Sequence, residues 1–152
     1  MELRPATAAD VRDIARITAA AYALYEPRIG RPPAPVLADH AALVAAGEVW
    51  VADAGEGPAG VLVVRPRGPA LLLESVAVDP KRQGEGIGRL LIGHAERLAA
   101  EAGLEAVELY TNAAMTENLT LYPGLGYTET GRGREQGYDR VYFRKAVAAA
   151  GR

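Results

Sequence analysis

The chain has 152 residues, of which 24% are charged and 49% hydrophobic, and its formal net charge is −2. A chain of this length is expected to fold as one domain, and the composition is typical of globular rather than disordered proteins. The chain has no cysteine, which excludes disulfides, thiolate nucleophiles and cysteine-bound zinc, and its mildly acidic balance argues against nucleic acid as a partner.

Hydrophobic periodicity predicts strands and helices along the whole chain. In chain order, the predicted elements are a strand at 1–5, helices at 11–25 and 36–46, strands at 48–52, 59–65 and 70–78, a helix at 87–102, a strand at 105–111, a helix at 115–125, and strands at 127–131 and 140–145. Thr7 and Asp10 have the spacing of a capping box before the first helix, and the proline-rich residues 26–35 end it. No linker or repeat interrupts the pattern, so residues 1–152 are predicted to form a single domain.

The helix at 87–102 is predicted to bury one apolar face and to stop at Gly103. The residues expected to point inward are Ile87, Leu90, Leu91, Ala95, Leu98 and Ala102. His94 lies on or beside this face and is expected to pack there. With only His40 elsewhere, the two histidines are too scattered to suggest a metal cluster, so no metal is expected.

Residues 71–89 are the most informative stretch, because an apolar strand is followed by a basic, glycine-rich turn and then a helix. Backbone N–H groups at such a helix N-terminus can bind phosphate. The dinucleotide fingerprint G-x-G-x-x-G does not fit, because from Gly84 its third glycine would fall at Arg89. A P-loop does not fit either, since no Gly-Lys-Ser/Thr follows. The alternative is a turn that only connects a strand to a helix.

Two motifs, in this order, resemble those of the GNAT superfamily of N-acetyltransferases. Residues 83–88 match Q-x-x-G-x-G, which resembles the family's acyl-CoA pyrophosphate loop, and residues 118–127, NLTLYPGLGY, resemble its second signature. The predicted element order also looks like the GNAT fold along essentially the whole chain. The resemblance implies a mixed α+β fold with a central twisted, mostly antiparallel sheet flanked by helices.

The resemblance further implies that the loop and the preceding strand bind acetyl-CoA. The residues implied at its diphosphate are Arg82, Gln83, Gly84, Glu85, Gly86, Ile87, Gly88 and Arg89. The N-terminus of the helix would add roughly half a positive unit charge. In the family, the strand before the loop splays from the next parallel strand, and the pantetheine arm bonds its exposed backbone, which here would be that of Val76, Ala77 and Val78.

Tyr122 matches the family's tyrosine beside the sulfur of the thioester, where a phenol can donate a proton to the departing thiolate. The alternative is an ordinary tyrosine on an amphipathic helix. Many family members carry an asparagine seven residues earlier, where this chain has Met115. Asn118, one helical turn before Tyr122, is therefore nominated as the contact to the pantetheine arm. Asn118 can equally satisfy backbone groups at the start of the helix.

Glu74 is the candidate base, because it interrupts an apolar run and, in a regular strand, shares the face of Val76. A solvated or ion-paired glutamate with a water relay is the alternative, and Tyr110 occupies another position where the family often has a base. The amine site is expected to be formed by the first two helices and their loop, together with the last hairpin. Its candidate residues are Tyr22, Tyr25, Arg28, Arg31, Tyr138 and Arg140. The arginines either recognise a carboxylate on the acceptor or are ordinary surface residues.

These features predict an N-acetyltransferase that moves an acetyl group from acetyl-CoA to a primary amine of a small molecule, amino acid, peptide or protein. The amine would attack directly in a ternary complex, without a metal. The alternative is a non-catalytic acyl-CoA-binding sensor or regulatory module on the same fold. No apolar stretch reaches the length of a membrane span and no signal-peptide pattern is present, so we expect a cytoplasmic protein with no membrane partner. A homodimer stays open as the oligomeric state.

Overall fold

One seven-stranded sheet organises the computed structural model of the protein, which describes residues 1–148. The strands are β1 (Glu2–Pro5), β2 (Val49–Asp53), β3 (Pro58–Arg67), β4 (Ala70–Val78), β5 (Ala106–Asn112), β6 (Thr128–Glu135) and β7 (Tyr138–Ala146). Their order in the sheet is β1-β2-β3-β4-β5-β7-β6, and within residues 1–148 only β4 and β5 pair in parallel. The predicted mixed, mostly antiparallel sheet is confirmed.

Helices cover both faces of this sheet. They are α1 (Val11–Tyr22), α2 (Glu26–Ile29), α3 (His40–Ala45), α4 (Ile87–Glu101) and α5 (Thr116–Gly124), with short 3-10 turns at Ala8–Asp10, Ala23–Tyr25, Ala34–Leu37 and Pro80–Arg82. None of the helices in residues 1–148 has both the length and the apolar character that crossing a bilayer requires. The predicted order of strands and helices is confirmed apart from one additional short helix, α2, between the first two predicted helices.

Two helix predictions were wrong in detail. The segment after α1 continues through a 3-10 turn into α2, so the helical path ends only at Gly30, which has a φ of 86°. The helix predicted at 36–46 is divided into the turn Ala34–Leu37 and helix α3. The division falls at Ala38, whose backbone is extended, and Asp39 then caps α3 by accepting a hydrogen bond from the Ala42 N–H at 3.0 Å.

The core lies in two layers, one on each side of the sheet. On one side α4 packs Leu91 and Ala95 against a cluster that includes Leu62 and Phe143. On the other side Ile14 and Ile17 of α1 pack against a second cluster of β2 and β3 residues. The central strand β3 is buried on both faces over most of its length, which is why it lacks an alternating pattern.

The apolar face of α4 differs from its prediction at two positions. Leu90 is 38% exposed, and Ala102 lies beyond the helix and is exposed. A helix turns about 100° per residue, so Leu90 falls outside the stripe centred near Leu91 and Ala95. His94 is buried and packs edge-on to Trp50 at 4.4 Å between ring centroids, as predicted.

Candidate active site

The parallel strands β4 and β5 separate part of the way along their length, which opens a fork in the sheet. Their pairing runs from Ala70–Ala106 to Leu73–Leu109, whereas β4 continues to Val78. The Val76 carbonyl points into the fork, where it accepts a hydrogen bond from the Tyr22 hydroxyl at 3.0 Å. Because the N–H and C=O of one strand residue point to the same edge, the Val76 N–H faces the fork as well.

The same alternation sorts the three β4 residues predicted to bind the pantetheine arm. Val76 and Val78 direct their backbone groups toward the fork, whereas Ala77 directs its groups toward β3. Asp79, two residues after Ala77, donates its N–H to the Ala59 carbonyl of β3, in agreement with this alternation. The structure therefore brings Val76 and Val78 to the fork but not Ala77.

The glycine loop joins the end of β4 to α4 and leaves backbone N–H groups exposed. Gly84 and Gly86 have φ values of 85° and 81°, a conformation that favours glycine. A Cβ atom added at either position would meet no protein atom within 4 Å, so the space beside the loop is open. The helix begins at Ile87 without a side-chain cap, and its first N–H groups remain available to an anion.

A groove with an empty volume of about 830 Å³ runs along this loop. Its lining residues are Val76, Val78, Arg82, Gln83, Gly84, Gly86, Ile87, Gly88, Arg89, Ile92 and Leu121. Most of the predicted donor-site residues are thus brought together. Glu85 is not among them; its carboxylate binds the Arg82 guanidinium through contacts of 2.8 and 2.9 Å, which lowers the pKa of Glu85. Arg89 is exposed at the same groove.

Tyr122 lies on α5 with its ring buried in the core. The ring packs against Tyr127 and Phe143 at centroid distances of 5.7 and 5.8 Å. Burial raises the pKa of Tyr122 to about 12, so the phenol is protonated at neutral pH. Its partner Tyr127 instead donates a hydrogen bond to Glu96 at 3.1 Å, away from the fork. Of these two tyrosines, Tyr122 borders the cleft beside Glu74.

Glu74 lies at a β-bulge, which the sequence did not indicate. Val63 and Val64 of β3 pair with Ser75 and Leu73, so Glu74 has no partner in the register. The prediction that Glu74 shares the face of Val76 assumed a regular strand. It is wrong, because the bulge leaves both Leu73 and Val76 packed on the α4 side of the sheet. The Glu74 carboxylate forms an ion pair with Arg65, and it faces a cleft on the α1 side.

Asn118 faces the same cleft but does not cap its helix. Its Nδ2 donates to the Thr111 hydroxyl at 3.0 Å. The start of α5 is instead organised by Asn112, whose Oδ1 accepts a hydrogen bond from the Ala114 N–H at 2.9 Å. Met115, at the position where the family often has asparagine, is buried. Asn112 therefore stabilises the turn that leads into α5, and Asn118 does not take the alternative role at the helix start.

The cleft beside Glu74 consists of two chambers with empty volumes of about 540 and 610 Å³. Both chambers are lined by Ala34, Pro35, Glu74, Ser75, Tyr110 and Arg140. The first chamber also contacts Tyr122 and Val76, and Val76 lines the glycine-loop groove too. The cleft and the groove therefore meet at the fork.

Three of the six predicted amine-site residues line this cleft, namely Tyr22, Tyr138 and Arg140. The other three do not line it. Tyr25 lies 6.3 Å from Tyr22 between ring centroids, Arg28 pairs with Glu117, and Arg31 lies 4.1 Å above the Tyr138 ring. The loop expected to take part in the amine site contributes Pro33, Ala34 and Pro35 to the lining, none of which sequence reasoning had named individually. Within residues 1–148 there is no group of three or more His, Cys, Asp or Glu residues placed to hold a metal ion.

Comparisons with known proteins agree with this geometry. A family model described as an acetyltransferase (GNAT) domain matches residues 45–129. N-acetyltransferase 8B of Rattus norvegicus is 35% identical over 89 residues, which are 55% of this chain and 40% of that protein. The chain thus spans less than half the length of this relative.

Two solved structures resemble the fold over nearly the whole chain. The PaiA N-acetyltransferase of Thermoplasma acidophilum, in complex with coenzyme A, has a TM-score of 0.79 at 14% identity and covers 96% of this chain and 98% of its own. The ribosomal-protein-S18-alanine N-acetyltransferase of Escherichia coli has a TM-score of 0.76 at 20% identity, and the match covers 99% of this chain and 96% of that one. At these identities the likeness concerns the fold alone.

Proposed function

Because the chain belongs to the GNAT acetyltransferase domain family, we propose that it transfers an acetyl group from acetyl-CoA to a primary amine in a ternary complex. The observation that carries this proposal is the meeting of two different cavities at the fork. One is a groove lined by exposed backbone at a helix N-terminus, and the other is a cleft lined by aromatic side chains and one carboxylate. Val76 borders both cavities, and Tyr122 lies beside it.

Each part of the donor has a matching surface. The N–H groups at the start of α4, with the exposed Arg89, suit a diphosphate. The backbone of Val76 and Val78 suits the amides of a pantetheine arm that lies in the fork as a partial extra strand. The Val76 carbonyl is already bonded to Tyr22, so its N–H is the donor we assign to the acetyl oxygen. Asn118 offers its side-chain oxygen from the opposite wall.

In the proposed reaction the neutral amine attacks the thioester carbonyl, which forms the C–N bond and an oxyanion. The Val76 N–H stabilises this oxyanion. Collapse of the intermediate breaks the C–S bond, and Tyr122 donates a proton to the leaving thiolate. The products are the acetylated amine and free CoA. No covalent acetyl-enzyme is required, so much of the acceleration comes from holding the two substrates together.

The substrate amine is an ammonium ion at neutral pH, so a base must remove one proton before the neutral amine can attack. Glu74 borders both chambers of the cleft, and Arg65 holds its carboxylate in place. Two routes remain open, direct transfer to Glu74 and transfer through a water molecule bound to it. The cytoplasmic location, the homodimer and the lack of a nucleic-acid or membrane partner stay predictions.

Calorimetric titration with acetyl-CoA, ATP and NAD tests the donor assignment. We expect acetyl-CoA to bind at least roughly tenfold more tightly than the other two, a difference of about 1.4 kcal/mol. Release of free thiol in the presence of a panel of amines then tests turnover. Tight acetyl-CoA binding with no thiol release across the panel would favour the sensor alternative, and equal binding of all three nucleotides would contradict the donor site.

A further inference from the structure

The acceptor cleft contains one acidic and one basic side chain, and the basic one is far more buried than its ion-pair partner. Among the lining residues of both chambers within residues 1–148, Glu74 is the one carboxylate and Arg140 the one guanidinium. The Arg140 side chain is only 7% exposed, whereas its ion-pair partner Glu135 is 55% exposed. The Arg140 charge is therefore buried at the cleft, and the charge of its partner Glu135 lies at the surface.

Arg140 is held in a fixed orientation against the cleft wall. Its guanidinium stacks 4.1 Å from the centroid of the Tyr110 ring, and Nη1 donates to Glu135 at 2.7 Å. A further contact to the Gln136 side-chain oxygen is long, at 3.5 Å. A guanidinium has five N–H donors, so this arrangement leaves donors for another acceptor. A planar, stacked guanidinium is the group that best binds a carboxylate through two parallel hydrogen bonds.

Glu74, Arg140 and Tyr110 border both chambers. Burial raises the pKa of Tyr110, and the charges of Arg140 and Glu74 then act on its hydroxyl in opposite directions. Both charges are therefore near the same ring. An acceptor that carries both a positive and a negative group complements this pair.

The rest of the lining combines polar side chains, among them Ser75, Asn118 and Tyr138, with an apolar group. The apolar group consists mainly of Ile29, Pro33, Ala34, Pro35, Leu43 and Val63. A polyamine would bring several positive charges to a cleft with one carboxylate, and a lysine side chain would leave Arg140 without a ligand. Neither matches the observed charges.

Resting on the proposed function, we infer that the acceptor is a free α-amino acid with an apolar side chain, whose carboxylate binds Arg140 while its amine faces Glu74. The apolar side chain lies against the prolines of the 33–35 turn. Glu135 competes with the substrate carboxylate for Arg140 and weakens its binding. Arg140 and Glu135 are thus specificity-determining residues.

The direct test compares L-leucine with two analogues. L-leucinamide lacks the charge of the carboxylate, and 3-methylbutylamine lacks the whole group. Rates are compared per neutral amine, because the three amines differ in basicity. We expect kcat/KM for leucine to exceed that of both analogues by roughly 10- to 100-fold, the range of one charged hydrogen-bonding contact. Equal or better use of leucinamide would overturn the inference while leaving the transferase proposal intact.

Two variants locate the effect. Glu135→Gln removes the competing carboxylate from an exposed site, and we expect the KM for leucine to fall about threefold to tenfold, with leucinamide unchanged. Arg140→Lys keeps the charge but loses the planar guanidinium. Its kcat/KM for leucine is therefore expected to fall toward its kcat/KM for leucinamide. Arg134→Lys, an exposed arginine of the same hairpin, is the matched control and leaves both rates unchanged.

Each outcome decides between the inference and the proposed function. If Arg140→Lys does not fold, Glu135→Gln still carries the test, because its side chain is exposed. An unchanged or raised leucine KM in Glu135→Gln overturns the role of Arg140. Tight acetyl-CoA binding with no acetylation of any amino acid overturns the acceptor class alone. Failure of the unmodified protein to bind acetyl-CoA would contradict the proposed function.

Discussion

The two halves of the active site are built in different ways. The donor half uses backbone groups of nearly consecutive residues, from the end of β4 through Gly84 and Gly86 to the first turn of α4. The acceptor half uses side chains from α1, the 33–35 turn, β4, β5, α5 and β7, which are far apart in the chain. Both halves meet at Val76.

This difference separates what is common to a fold from what is particular to one protein. A diphosphate is recognised by N–H groups, so the loop depends on backbone conformation and tolerates varied side chains. An amine acceptor is recognised by charge and shape, which depend on the identity of each lining side chain. The donor half is therefore expected to respond to backbone changes, and the acceptor half to single functional groups.

The largest effect is expected at Tyr122, which borders the acceptor cleft but acts on the leaving group of the donor. Tyr122→Phe removes only the hydroxyl, and we expect kcat to fall about 100-fold because the thiolate loses its proton donor. The dissociation constant of acetyl-CoA should stay near its original value, as measured by calorimetry.

Tyr127→Phe is the matched control, since it removes the other hydroxyl of the same motif. That hydroxyl bonds Glu96, so its loss is expected to lower stability by about 1 kcal/mol without changing kcat. Equal kcat values for Tyr122→Phe and the unmodified protein would remove the acid role of Tyr122.

Glu74→Gln tests whether the acceptor half supplies the base. We expect kcat/KM to fall roughly tenfold or more at neutral pH, since a general base contributes at least that much and a water relay replaces it only in part. Raising the pH should recover much of the loss, because a larger fraction of the amine is then neutral. Glu108→Gln, which breaks ion pairs outside the cleft, should leave the rate unchanged.

Gly86→Ala tests the backbone character of the donor half. With a φ of 81°, an alanine is expected to cost about 1–2 kcal/mol in backbone strain, and displacement of the loop should weaken acetyl-CoA binding by about tenfold. The comparison is Gly103→Ala, a glycine with a φ of 72° at the far end of α4. It should lose similar stability by urea unfolding and keep its acetyl-CoA affinity; equal affinities in the two variants would contradict the donor site.

A smaller effect is expected at Tyr22, which lines the acceptor cleft and bonds the donor backbone. Tyr22→Phe removes the hydrogen bond to the Val76 carbonyl, worth about 1 kcal/mol, and should lower kcat about fivefold with little change in the KM for the amine. Tyr25→Phe, whose ring lies 6.3 Å away, is the control. A change in amine KM alone would place Tyr22 in acceptor binding instead.

The smallest effect concerns stability on the donor side, where His94 of α4 packs against Trp50. Neither ring nitrogen has a hydrogen-bond partner within residues 1–148, and burial, with a smaller effect of Arg97 opposed by Glu101, lowers the pKa of His94 below its usual 6.5. The unfolded chain therefore binds a proton first as the pH falls. Stability is expected to be highest above pH 6.5 and to decline below it.

Urea unfolding between pH 7.5 and pH 5 measures this decline. His94→Leu should flatten the slope in this window, whereas His40→Gln should retain it. A slope that persists in His94→Leu would assign it to other groups.

The glycine loop was predictable from the sequence in position and conformation, and so was the place of Tyr122 in the second motif. The bulge at Glu74 was not, because a register shift depends on how two strands pair and leaves no local sign in either. The loop that contains residues 33–35 was expected beside the amine site, but which of its residues line the cleft depends on strands that come later in the chain. Ala77 was assigned to the fork although its backbone faces β3, because three consecutive residues were assigned together and backbone groups alternate between the two edges of a strand.

The amino-acid sequence by itself determined the order of strands and helices, the anion-binding loop and the family of the chain. These features depend on neighbouring residues, whose spacing dictates the local hydrogen bonding. Only the tertiary structure decided that Glu74 faces the cleft, that Arg140 is buried against Tyr110 and that Tyr22 bonds Val76. Those contacts join residues distant in the chain, and a shift of one position in strand register turns a side chain to the opposite face of the sheet.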